Sequence, residues 1–138
     1  SLLQNKARQG HRLRFLLVSP HGTNHEVTAV RRPQPNFTKD NLALIQTGLS
    51  SLCHLKHVAP KNGVEIRVID YPLSTGIIAT DPNTSRSEVW VQYYPFKTPG
   101  GAIPIMHFRN DNEWHDHFWN ELQNLWNSAT PWECNVDS

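Results

Sequence analysis

An α/β domain, α+β in the sense of a mixed sheet, is expected of this chain: five strands covered by two amphipathic helices, in the order β-α-β-β-β-β-α. Three stretches carry that expectation. Val64–Tyr71 (VEIRVIDY) alternates, with Val64, Ile66 and Val68 on one side and Glu65, Arg67 and Ile69 on the other. That is the period of a strand with one face more buried than the other. Gly76–Thr80 (GIIAT) is a short apolar run of the kind a central strand shows. Between a first strand near Leu13 and the strand at Val64 lies one long helical stripe. Strand, helix, strand at this spacing is a βαβ unit, with parallel strands and a right-handed crossover.

Taken in order, residues 1–11 are polar and read as the end of a helix from a longer polypeptide. The start at Ser1 and a single methionine, Met106, carry the same reading. Leu13–Ser19 is the first strand, with Phe15, Leu16, Leu17 and Val18 as a continuous apolar run. Pro20, His21, Gly22, Thr23 and Asn24 break it. Residues 24–37 lack a period and hold Pro33 and Pro35, so a loop with one short helical turn is expected. A helix then begins at Thr38, its expected N-cap, with Asp40 favourable to the helix dipole. Leu42, Ile45, Leu49, Leu52 and Leu55 form its apolar stripe. Pro60 and Gly63 close it.

Pro72 ends the second strand, because proline cannot donate to a ladder. Asp81-Pro82-Asn83 is a turn after the third strand. Glu88–Phe96, rich in β-branched and aromatic residues, is the fourth. Lys97–Gly101 turns into Ala102–Arg109, whose Pro104 marks an edge strand or a bulge. The last helix opens at Asn110–Glu113, capped by Asp111 or Asn112. Trp114, Phe118, Leu122, Leu125 and Trp126 make its apolar face, which His115 and Trp119 widen. Residues 12–129 are thus one domain, between a polar N-terminal segment (1–11) and a polar C-terminal tail (130–138).

Composition narrows the function. The chain has 138 residues, enough for one domain with a sizeable core. Its 13 Lys and Arg stand against 12 Asp and Glu, so no overall field favours nucleic acid or an anionic membrane. Arg12 with Arg14, and Arg31 with Arg32, are too sparse for a nucleic-acid stripe. No apolar run approaches the roughly 20 residues of a membrane span. No signal peptide stands at the N-terminus. Cys53 falls in a helical pattern and Cys134 in the tail, so no disulfide framework is expected, which points to a reducing cytoplasm.

The strand NGVEIRVID, a short loop, the strand GIIATD, a further strand and a closing helix containing HFWNELQNLW resemble one half of a phospholipase D superfamily unit. The likeness covers residues 12–129. It is greatest to the non-catalytic phospholipase D-like domains at the C-terminal end of bacterial multidomain regulators. An active half of that superfamily carries H-x-K-x4-D. Here Asp81 falls at the Asp position, but Gly76 stands at the Lys position and Ser74 at the His position. A glycine brings no charge, and Ser74 has no activating base nearby in sequence. The resemblance therefore implies the fold without the phosphodiesterase chemistry, and no catalytic residue is assigned. A second H-x-K, His54-Leu55-Lys56, has Lys61 where the Asp is required and lies on a helix.

Other candidates have plain readings beside the sharp ones. His115 and His117 diverge by about 200° on a helix, so they do not share an ion readily, and His107 adds no recognised metal motif. Neither metal nor cofactor is expected. Ser19, His21 and Thr23 follow the first parallel strand, where α/β sheets tend to seat ligands. Asp70 ends the second strand at the same edge. With Ser74 and Asp81 these make a candidate ligand site, against the simpler reading of a turn.

The expected function is regulatory or ligand-sensing within a larger cytosolic bacterial protein. Its partners would be other domains of the same polypeptide, a small molecule, or a second copy docking through the aromatic C-terminal helix. Two alternatives stand beside it. One is phosphoester hydrolysis or transfer by a rearranged Asp81, His21 and Ser74. The other is plain oligomerisation.

Overall fold

In the computed structural model, β1 (Leu13–Val18) and β2 (Val64–Ile69) run parallel, from Leu13 opposite Val64 to Val18 opposite Ile69. The structure describes residues 2–29, 37–73, 75–81, 83–93 and 104–135. Two helices lie in the crossover, α2 (Asn24–Ala29) and α3 (Phe37–Val58). The short helical turn expected in residues 24–37 is therefore α2. Ahead of β1 stands α1 (Leu2–Arg8).

After β2 come β3 (Thr75–Thr80), β4 (Glu88–Tyr93), β5 (Ile105–Arg109), α4 (Glu113–Asn127) and β6 (Thr130–Pro131). The strands form one mixed sheet in the order β5-β4-β3-β1-β2-β6, every pair but β1–β2 being antiparallel. Of the two readings that Pro104 left, edge or bulge, the edge is found: β5 ends the strand order.

The sheet has six strands rather than five. The sixth is two residues long and lies in the segment read as a polar tail. Pro131 is tolerated there because β6 is an edge. Trp132 adds a backbone hydrogen bond, its N–H donating to the Ile66 carbonyl at 2.9 Å. A disulfide between Cys53 on α3 and Cys134 fastens this segment, the Cα atoms being 5.6 Å apart. That corrects the expectation of no disulfide framework: the two cysteines form one bond. They are 81 residues apart, and neither sits in a local pattern that announces pairing.

The alternation of each strand divides the core in two. On one face α4 lays Leu122 and Trp126 against Leu16, Val18, Ile69, Ile77, Ala79, Val89 and Val91. Full burial of each large apolar side chain contributes about 1.5–3 kcal/mol. Two cations also lie near the Trp126 ring: the guanidinium of Arg67 is 4.5 Å from its centre and that of Arg14 5.3 Å. Arg67 donates to the Trp126 carbonyl at 2.8 Å as well. Asn112, one of the two expected caps, accepts from the Trp114 N–H at 2.8 Å. Trp114 itself, expected on the apolar face, is exposed.

On the other face α3 packs Leu49 and Leu55 of its predicted stripe over Leu13, Phe15, Val64, Ile66 and Val68, beside Ala7 of α1. This cover lies on the β1–β2 half of the sheet.

Candidate functional site

Four of the sequence-predicted site residues gather at the carboxyl ends of β1 and β2. The Ser19 N–H donates to the Ile69 carbonyl at 2.8 Å. Ser19 Oγ accepts from the His21 N–H at 3.1 Å. The Asn24 amide donates to both the carbonyl and the carboxylate of Asp70, at 2.9 and 2.8 Å. The Thr23 carbonyl accepts from Glu26 at the start of α2. Gly22 has φ +80°, and a Cβ there would come within 2.7 Å of Asp70 Oδ2, so a side chain would be strained and would crowd Asp70. The His21 ring lies 5.7 Å from that of Trp132. These polar groups hold the loop together, and neither cavity described below is lined by any of the four. Ser74 lies outside the described residues.

Asp81 is elsewhere. It follows Thr80, which pairs with Leu13 at the start of β1. Because β1 and β3 are antiparallel, roughly 20 Å of strand separates Asp81 from the loop that holds His21. A rearranged site built from both is not assembled. Asp81 is 4% exposed and has φ +49°. Its carboxylate accepts from His11 Nδ1 at 2.6 Å and from the Arg12 N–H at 3.4 Å, with Arg86 at 3.7 Å. Its own N–H donates to the Arg12 carbonyl at 2.8 Å. Asp81 thus ties the β3–β4 turn to the entry of β1.

The same turn is fastened to α4. Ser87 Oγ lies 3.0 Å from His115 Nε2, and His115 Nδ1 lies 3.1 Å from Asp116 Oδ1. The order of contacts is that of a nucleophile, base and acid. Ser87 is only 4% exposed, however, and neither cavity reaches it. The contact satisfies two buried polar groups and docks the helix. His117 meets Trp114 and Phe118 edge-on, and His107 stacks on Trp90. Among the described residues no three His, Cys, Asp or Glu side chains come together as a metal site.

The feature with the shape of a binding site is a groove on the α3 face, over the half of the sheet that α3 leaves uncovered. Strand register builds its floor in rows. Phe15, Ile78, Trp90 and His107 lie opposite one another across β1, β3, β4 and β5. Gly76, Gln92 and Ile105 form the next row toward the carboxyl end of β1. Gly76 has no side chain, which leaves a depression between its neighbours. Gly48, Ser51 and Leu52 of α3 form one wall, and Lys6 of α1 closes one end. The cavity measures about 520 Å³, within the ordinary range for small-molecule sites.

Beneath Lys6 is a charged row. Glu88 lies opposite Arg109. Its carboxylate faces Lys6 Nζ at 3.7 Å, His107 Nε2 at 3.4 Å and Arg109 Nε at 3.9 Å. His107 stacks on Trp90 with ring centres 4.5 Å apart, and Lys6 Nζ stands 5.7 Å from the same indole.

The residues of this groove were not singled out as a site by sequence. The signal available was Gly76 inside an apolar strand, a position where glycine marks an opening or a close approach. A second, wider cavity of about 910 Å³ surrounds the disulfide, with His54, Lys56, His57, Lys61 and Trp132 among its walls. Comparison of the chain with models of protein families, with curated proteins and with solved structures finds no match.

Proposed function

We propose that this chain is a non-catalytic, ligand-sensing domain of a larger bacterial regulator, with a degenerate phospholipase D-like fold, and that its ligand sits in the groove over β3, β4 and β5. The carrying observation is the groove itself: an apolar depression of about 520 Å³ opened by Gly76 on the sheet. The fold half of the reading rests on the β1–α3–β2 parallel crossover and the closing helix α4. The non-catalytic half rests on Asp81, which is engaged by His11 and Arg12 far from His21.

Assembly through the C-terminal helix has less support, because its apolar stripe already packs on the sheet. The outer edge of β5, which no other strand among the described residues pairs, with Ile105 60% and Met106 41% exposed, favours a second reading as a protein-interaction module. A sheet edge of this kind is a template for an added strand. No helix among the described residues is long and apolar enough to cross a membrane. In the cytoplasm, the setting proposed here, the Cys53–Cys134 bond would be subject to reduction.

Titration with the neutral, apolar fluorophore N-phenylnaphthylamine tests the reading. Saturable enhancement in the native chain, lost in Gly76→Leu, is the expected result. Enhancement that survives the substitution places the ligand elsewhere.

A further inference from the structure

The groove is apolar along its floor and cationic at one end, and that asymmetry specifies a ligand. Resting on the groove reading above, we propose that the occupant is a free amphipathic carboxylate: an acyl chain along the floor, with its carboxylate at Lys6.

The charge at that end is unbalanced. Lys6 and Arg109 share one carboxylate, Glu88, and His107 joins them. Lys6 is mostly buried, its side chain 19% exposed. At 3.7 Å its ammonium is too far from Glu88 for a hydrogen bond, which leaves donors available to a second anion. A ligand cation is disfavoured, because Lys6 already occupies the vicinity of the Trp90 ring. A polyhydroxylated ligand is disfavoured as well. Among the described lining residues, apart from Lys6, only Gln92, Ser51 and the indole N–H of Trp90 offer polar side-chain groups, so most of its hydroxyls would be buried unpaired. From Phe15 on β1 to Ile105 on β5 the floor crosses four strands, about 14 Å, which suits a medium-length acyl chain.

The test uses calorimetric titration of the whole chain with decanoate and with its neutral counterpart decanol. Decanoate is expected to bind once per chain and about tenfold tighter than decanol, the scale of one added charge-assisted contact. Lys6→Met is expected to remove that preference. Raising the ionic strength of the native protein is expected to shrink it without any substitution, which keeps the test valid should Lys6→Met fail to fold. Equal binding of the two ligands, or a preference that survives both changes, overturns the carboxylate assignment and leaves the groove reading standing. Silence from both ligands while N-phenylnaphthylamine still binds overturns this inference alone. Silence from all three overturns the groove reading with it.

Discussion

The carboxylate of Asp81 accepts a hydrogen bond from Nδ1 of His11 at 2.6 Å, across 70 residues of sequence. The pair joins the end of β3 to the start of β1, and the Arg12 N–H completes it. Asp81→Ala removes the buried acceptor and leaves the part-buried His11 Nδ1 and the Arg12 N–H without it. The expected cost is about 2–4 kcal/mol of stability. Asp81→Asn retains an acceptor and tolerates the positive φ, so about 1–2 kcal/mol is expected. Urea unfolding of the two variants measures both. Equal, negligible losses would deny Asp81 this role.

The disulfide closes a long loop. Replacing Cys53 and Cys134 together by serine should lower stability by about 2–4 kcal/mol. It should also release β6, seen as faster amide exchange at Trp132, whose N–H is held by Ile66. Thiol titration of the unfolded, unreduced chain should find no free thiol from this pair, and two after reduction. Two free thiols before reduction would contradict the bond.

Ser87 satisfies His115 inside the α4 face. Ser87→Ala leaves the Nε2 atom without that partner, at an expected cost of about 1–2 kcal/mol. Groove binding should be unaffected, as followed by N-phenylnaphthylamine in the same variant.

Gly76→Leu should raise stability by about 1 kcal/mol while abolishing ligand binding. It buries new apolar surface in the groove and removes a glycine from a strand interior. Thermal unfolding and the fluorophore titration, read on one sample, separate this outcome from simple misfolding.

Much of the architecture was legible locally. The parallel β1–β2 pair followed from alternation in Val64–Tyr71 and the stripe from Leu42 to Leu55, and the edge position of β5 was one of two readings that Pro104 allowed. What escaped depends on contacts distant in sequence. The strand β6 is two residues without a period, defined by pairing with Arg67 and Val68. The contact of Asp81 with His11 spans 70 residues, and no local pattern announces it. Of the candidate site, Ser19, His21, Thr23 and Asp70 do share one end of the sheet, as parallel topology requires. The groove arises instead from lateral register. That Phe15, Ile78, Trp90 and His107 form a row is decided by strand pairing, which no single segment encodes.

Heteronuclear NMR of the native chain during titration with N-phenylnaphthylamine tests the central claim most directly. The groove account predicts that the Trp90 indole N–H and the amides of Gly76 and Gln92 shift to saturation, while those of Ser19, His21 and Asp70 stay in place. Shifts confined to Ser19, His21 and Asp70 would contradict it.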